Sequence, residues 1–263
     1  MKKTIISHFY NEEYLLPWWL DHHRNIFDHG IMVNYHSTDK SVDIIKNMCP
    51  TWEVVDTKNE YFSAIEVDKE ISYIESTIES GWKIALNTTE FILGNLSILE
   101  NIPTIHNNIF HGNSFLEVKN GYGLPSIIMV DENPSLLPAY NKPLCFQKTY
   151  GVMYNEGAFE FRGSRLIHCE KSMNYSHIGR HCNYTTEELV VLWYGFSPYN
   201  EAVKARKMQI KYKMPETDIK KGFGYQHLWS EQQMDYVYLN FKNSAKDLSN
   251  YINTLYMKMN SGL

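Results

Sequence analysis

Residues 4–41, TIISHFYNEEYLLPWWLDHHRNIFDHGIMVNYHSTDKS, decide the fold. Thr4 to Phe9 is a short apolar run that predicts a strand, and the polar segment Tyr10-Asn11-Glu12-Glu13 ends it. Leu15, Leu16, Trp18, Trp19 and His22 then recur at helical spacing, with acids ahead of them and Pro17 in the first turn, where the helix dipole and the missing proline N–H are accommodated. Gly30 to Tyr35 predicts a second strand. The polar stretch His36-Ser37-Thr38-Asp39-Lys40-Ser41 is rich in capping residues, and Val42, Ile44, Ile45 and Met48 follow at the spacing of a short helix. A strand, helix, strand, helix order implies a parallel sheet with crossover helices.

Outward from this unit the alternation continues. Trp52 to Val55 predicts a third strand, Ile71, Ile74 and Ile78 a helix, and Trp82 to Leu86 a fourth strand that runs into Asn87-Thr88-Thr89-Glu90. Polar residues just past the carboxyl ends of parallel strands are where open α/β sheets bind ligands. From Asn95 to Asn155, five prolines and weak periodicity predict loops and short strands. Glu160 to Glu170 and Asn174 to Cys182 read as extended segments carrying Arg162, Arg165, His168, His177, Arg180 and His181. Beyond Pro198 the pattern is mainly helical and closes with a helix from Asp247 to Met259. With no repeat or low-complexity linker, residues 1–263 read as one domain: a nucleotide-binding half (1–95), an acceptor and active-site half (96–195) and a helical C-terminal lobe (196–263).

Composition narrows the function. The net charge of -5 argues against a nucleic-acid binder, which needs a basic surface to neutralise phosphates. Seven Lys or Arg against Glu216 and Asp218 between Lys204 and Lys221 form a local exception, either a solvated helix face or a site for a small anion. Cys49, Cys145, Cys169 and Cys182 form no CxxC pair, the N-terminal residues lack an apolar signal core, and no apolar run is long enough to span a bilayer. A reduced, cytoplasmic protein is the expectation.

Three motifs in order, FYNEEYLLPWWLDHH, YHSTDKSVDII and GWKIALNTTEF, resemble those of GT-A fold glycosyltransferases of the family-2-like and DUF23 type, which have viral and bacterial members. RGSRLIHCE, YSHIGRH and SPYNEAVKARKMQIKY resemble the distal part of such enzymes, so the resemblance covers roughly residues 4 to 230. It implies an α/β, Rossmann-like nucleotide-binding sheet flanked by helices, and transfer of a sugar from a nucleotide-diphosphate donor, of the UDP type, to a glycan or glycoprotein acceptor. Tyr10, Asn11, Glu12, Asp39 and Thr89 would contact the nucleotide. Ser37, Thr38 and Asp39 would equally serve as caps for the helix after them.

The family's metal motif is altered. Its two aspartates are replaced by Asn87 and Thr89, which leaves Glu90 as the charged ligand for Mn or Mg, or cationic side chains in the metal's place. Arg162, Arg180, His177 and His181 are the candidate phosphate ligands, with Arg165, Lys204, Arg206 and Lys207 as further basic groups. An inverting reaction needs a carboxylate base, for which Asp131, Glu132 and Glu160 are the candidates. Two rival readings stay open. The altered metal motif fits a catalytically silent nucleotide-sugar or glycan-binding protein, and His177 and His181 with Cys169 and Cys182 fit a zinc-dependent hydrolase.

Overall fold

The computed structural model describes residues 1–100, 107–111, 114–118, 120–153, 165–170 and 186–261. The chain begins β1 (Lys3–Phe9), α1 (Leu16–His23), β2 (His29–Asn34), α2 (Ser41–Met48), β3 (Glu53–Asp56), α3 (Ala64–Thr77) and β4 (Trp82–Ala85). It continues through β5 (Glu90–Gly94), β6 (Asn107–His111), β7 (Ser114–Val118), β8 (Gly121–Leu124), β9 (Ser126–Val130), α4 (Leu144–Gln147), β10 (Tyr150–Val152), β11 (Arg165–His168) and β12 (Leu189–Trp193). The last part holds α5 (Glu201–Met208), α6 (Glu216–Lys221), α7 (Glu231–Ser244), β13 (Lys246–Asp247) and α8 (Ser249–Ser261), with 3-10 turns at Gln209–Lys213 and Tyr225–His227.

The result is a mixed α/β structure with two mixed sheets flanked by helices. The first sheet has the order β3-β2-β1-β4-β11-β8. Its first four strands are parallel, with Thr4 opposite His29 and Phe9 opposite Asn34, and β11 runs antiparallel to β4 and β8. Successive side chains of a strand point to opposite faces. Ile5, Met32 and Ile84 therefore share a core with Leu16 and Trp19 of α1, whereas Ile6, Val33 and Ala85 pack with Val67 and Ile71 of α3. Burial on both faces is what a parallel sheet with crossover helices requires. Gly30 is needed on β2 because a Cβ there would lie 2.2 Å from the Trp52 ring.

The second sheet, β13-β10-β9-β12-β5, takes α8 on one side through Ile252, Leu255 and Met259. Met234, Tyr238 and Phe241 form the buried stripe of α7, and Tyr238 stacks on Tyr199 at 3.9 Å. These elements differ from the sequence expectations at their ends. Ile78 is the extended residue after α3, and Asp247 lies in β13, where its carboxylate accepts the Ser249 N–H at 2.8 Å and so precedes α8 as a cap.

Asp131, expected among the catalytic bases, clamps the end of β9 to the segments around it. It is 1% exposed at the end of β9, and its carboxylate accepts the Ser197 hydroxyl at 2.6 Å and the Tyr199 N–H and pairs with Lys148 at 3.2 Å. Its backbone carbonyl accepts the Tyr238 hydroxyl at 3.1 Å. Both carboxylate oxygens are thus engaged and shielded from any acceptor hydroxyl. Replacing Asp131 with Ala leaves a buried lysine charge without its partner, a change expected to cost about 3–5 kcal/mol. Urea unfolding measures this, and an unchanged unfolding free energy would show that the clamp does not hold the sheet.

Candidate functional site

β1 and β2 lie side by side and in register, so the loops that follow them emerge together. Asn11 adopts the left-handed region, with φ 49°, which asparagine tolerates better than most residues. Its side-chain Oδ1 accepts the N–H groups of Thr38 at 2.7 Å and Asp39 at 3.3 Å. In return, the Asn11 N–H donates to Ser37 Oγ at 3.1 Å and the Glu12 N–H to Ser41 Oγ at 2.8 Å. Asp39 accepts from the Ser41 N–H through one oxygen and from the Glu13 N–H through the other, each at 3.0 Å. Glu13 accepts the Lys40 N–H at 3.0 Å. The two loops are stitched into a preorganised rim, in which Asp39 joins its own loop to the one after β1, while the N-cap of α2 is Lys40, with no side-chain cap hydrogen bond.

The turn between β4 and β5 forms the next part of the rim. The Trp19 indole donates to the carbonyls of Asn87 at 3.1 Å and Glu90 at 2.9 Å, which holds the turn against α1. Thr89 is buried, and its carbonyl accepts the Tyr194 N–H at 2.7 Å. Glu90 is 0% exposed, and Arg165 of β11 forks onto its carboxylate at 2.8 and 3.1 Å. The Asn87 N–H adds a third donor at 2.7 Å. Burial lowers the Arg165 pKa to about 10, so the guanidinium stays charged at neutral pH.

These contacts bear on the metal role expected of Glu90. Its charge is already balanced by a bidentate guanidinium, and the neighbouring positions carry an amide and a buried hydroxyl, a poor set for a hard divalent cation. Among the described residues no group of three His, Cys, Asp or Glu is placed to hold a metal ion. Cys49, Cys145 and Cys169 are free thiols. Glu160, Arg162, His177, Arg180 and His181 lie outside the described residues. Glu132 is exposed and accepts a hydrogen bond from Tyr150, while His168 is a buried structural histidine held by Glu75 at 2.8 Å.

The C-terminal lobe supplies Arg206, expected only as a further basic group, and Gln209 and Lys213, to which motif reading gave no role. Arg206 of α5 donates to Glu12 Oε1 at 2.7 Å, and the pair is nearly buried. Burial raises the Glu12 pKa, and the Arg206 charge opposes that rise. Gln209 donates to the carbonyls of Tyr10 and Asn11, and the Lys213 ammonium lies 4.6 Å from the Tyr10 ring centroid. The lobe is pinned further down by the Phe62 N–H to the Lys213 carbonyl at 2.8 Å, and by Asp218, which accepts the Ala64 N–H at the start of α3 at 3.2 Å. His227 meets the Phe62 ring edge-on, and its pKa is lowered to about 4, first by burial and then by the positive charges of Lys207 and Arg206. The lysine and arginine excess after Lys204 was the signal in sequence. Its placement over the β1 loop was not.

A separate cleft, lined by Trp18, His22, Leu144, Tyr256 and Met259, lies between α1, α4 and α8 and includes none of these rim residues.

No protein-family model matches the chain, and no curated protein matches it. Among solved structures it is similar to the crystal structure of S. aureus TarS 1-349, at 12% identity and TM-score 0.40, over 87% of this chain and 71% of that one. It is also similar to the crystal structure of 4-diphosphocytidyl-2C-methyl-D-erythritol synthase, at 13% identity and TM-score 0.30, over 91% of this chain and 98% of that one. Likenesses this distant assign no activity to the chain.

Two outcomes follow from the charges. Glu90→Gln leaves Arg165 buried beside a neutral amide and is expected to cost about 3–5 kcal/mol in metal-free buffer, whereas a residue kept only as a metal ligand would cost little there. Urea unfolding in EDTA distinguishes the two. For His227, the unfolded imidazole takes up its proton near 6.5 and the folded one only near 4. Stability is therefore fully present above 6.5 and lost as pH falls toward 4, by about 3 kcal/mol at most for this group. His227→Gln should flatten the unfolding free energy across that window, and an unaltered pH slope would contradict the assignment.

Proposed function

We propose that this chain is a glycosyltransferase that binds a nucleotide-diphosphate sugar at the rim formed by the loops after β1, β2 and β4. The observation that carries the reading is the docking of a cationic lobe, through Arg206, Gln209 and Lys213, onto a rim stitched together at the carboxyl ends of parallel strands. Tyr10, Asn11 and Asp39 border the position for the nucleoside. Arg206 Nε is buried with no hydrogen-bond partner among the described residues, a spare donor for an anionic oxygen.

In this reading Arg206, with Lys207 and Lys213 nearby, stabilises the negative charge that develops on the departing diphosphate. Arg162, Arg180, His177 and His181 extend that role in the proposal. The acceptor is a glycan or glycoprotein hydroxyl, and with Asp131 engaged elsewhere the candidate bases are Glu132 and Glu160. A metal-independent enzyme is the form that best fits the paired Glu90.

One specific observation favours a second reading. The position of the family's metal-binding carboxylates is held by Asn87, Thr89 and an ion-paired Glu90, which would equally suit a protein that binds a nucleotide sugar or glycan without transferring it. Release of free nucleoside diphosphate from a nucleotide sugar by the pure protein, with or without acceptor, would exclude that reading.

Calorimetric titration with a panel of nucleoside diphosphates, in Mn²⁺ and in EDTA, tests the donor site. Equal binding in both media, weakened about 10- to 150-fold in Arg206→Ala, is the expected result, since loss of a charge-assisted hydrogen bond is worth about 1.5–3 kcal/mol. Binding that requires Mn²⁺ would overturn the cationic assignment, and no binding in either medium would remove the donor site.

A further inference from the structure

Gln209 opens the 3-10 turn after α5, and its amide hydrogen-bonds to the loop that follows β1. The orientation of each amide there is determined by its partners. Asn11 Oδ1 faces two backbone N–H donors, those of Thr38 and Asp39, so the other terminal atom of Asn11 is the nitrogen. That nitrogen donates to Gln209 Oε1 at 3.2 Å and to Thr38 Oγ1 at 3.4 Å. Gln209 Nε2 meets the backbone carbonyls of Tyr10 and Asn11, each at 3.2 Å, and carbonyls accept only. The loop therefore presents one donor and two acceptors to a single small planar group.

A ligand that takes the place of this amide must offer two N–H donors beside one acceptor. Among nucleobase edges, those that carry an exocyclic amine meet the requirement. Cytosine and adenine place an amino group next to a ring nitrogen acceptor, and guanine places N–H donors next to a carbonyl. Uracil has one ring N–H between two carbonyl oxygens, so one of the two backbone carbonyls would face another oxygen. An unpaired polar group in a partly buried site disfavours the ligand that leaves it so.

We propose that Gln209 occupies the base-edge position of the donor subsite, that this subsite takes an amino-bearing nucleobase rather than uracil, and that the Gln209 amide withdraws when the base enters. The inference rests on the donor reading above and departs from the uridine-type donor implied by the family resemblance. Gln209 is a competitor for the subsite, so the apparent affinity of the free protein is reduced by the fraction of molecules in which the amide is docked.

The test is calorimetric titration of the wild-type chain and Gln209→Ala with CDP, ADP, GDP and UDP at one ionic strength. One of the three amino-bearing diphosphates is expected to bind the wild type at least about tenfold more tightly than UDP. The same nucleotide is expected to bind Gln209→Ala severalfold more tightly still, because the internal competitor is gone. Tightest binding of UDP to the wild type overturns the base assignment whatever the variant does. Weaker or unchanged binding in a folded Gln209→Ala overturns the competitor role and makes Gln209 a tether of the lobe or a ligand itself. Both results leave the donor site standing, whereas an absence of binding by all four nucleotides to both proteins overturns the donor reading as well.

Discussion

Backbone N–H groups beyond the carboxyl ends of a parallel sheet have no neighbouring strand to pair with, and each needs another partner. In this chain the loops after β1 and β2 solve the problem for one another. Asn11 serves Thr38 and Asp39, Ser37 and Ser41 serve Asn11 and Glu12, and Asp39 and Glu13 serve each other's loops. The short polar side chains are what permit this, because the bonding oxygen of an Asn, Ser or Asp lies only two or three bonds from its own Cα and so is held close to the backbone of the facing loop. The rim is consequently shaped before any ligand arrives, and everything docked on it, from Arg206 to Lys213, inherits that shape.

Buried ion pairs then join segments distant in sequence. Glu90 meets Arg165, Asp131 meets Lys148, and Glu12 meets Arg206. Such pairs are weak sources of net stability, since desolvation offsets much of the attraction, but an unpaired member is costly. Their effect is on choice of structure: a packing in which β11 failed to reach β4, or α5 failed to reach the β1 loop, would strand a charge in the interior. The same logic applies to two carboxylates that looked chemical in the sequence, Asp131 and Glu90, which are both engaged by protein groups. Each sits just past or at the start of a core strand with its oxygens fully engaged.

Much of the scaffold was legible. The apolar runs at Thr4–Phe9 and Gly30–Tyr35 and the spacing of Leu16, Trp19 and Ile45 identified β1, β2, α1 and α2, because burial between two layers imposes a period that survives in the side chains. One contact of Asp39 was legible for a local reason: the Ser41 N–H that it accepts is two residues away. The middle of the chain was less so. Its short strands β8 to β10 pair across long intervals, and β11 pairs with both β4 and β8, relations that no local period records.

The sequence by itself determined the parallel βα unit, the polar rim after β1 and β2, the altered residues Asn87 and Thr89, and a cationic excess near the C-terminal end, all of them properties of neighbouring residues. Only the tertiary structure decided that Arg165 neutralises Glu90, that Lys148 and the Tyr199 loop close over Asp131, and that Gln209 and Lys213 reach back to Tyr10 and Asn11. The reason is physical. A charge or amide is free to choose among partners anywhere in the chain, and which one it meets depends on how the layers pack, whereas a strand or a cap is dictated by the few residues on either side of it.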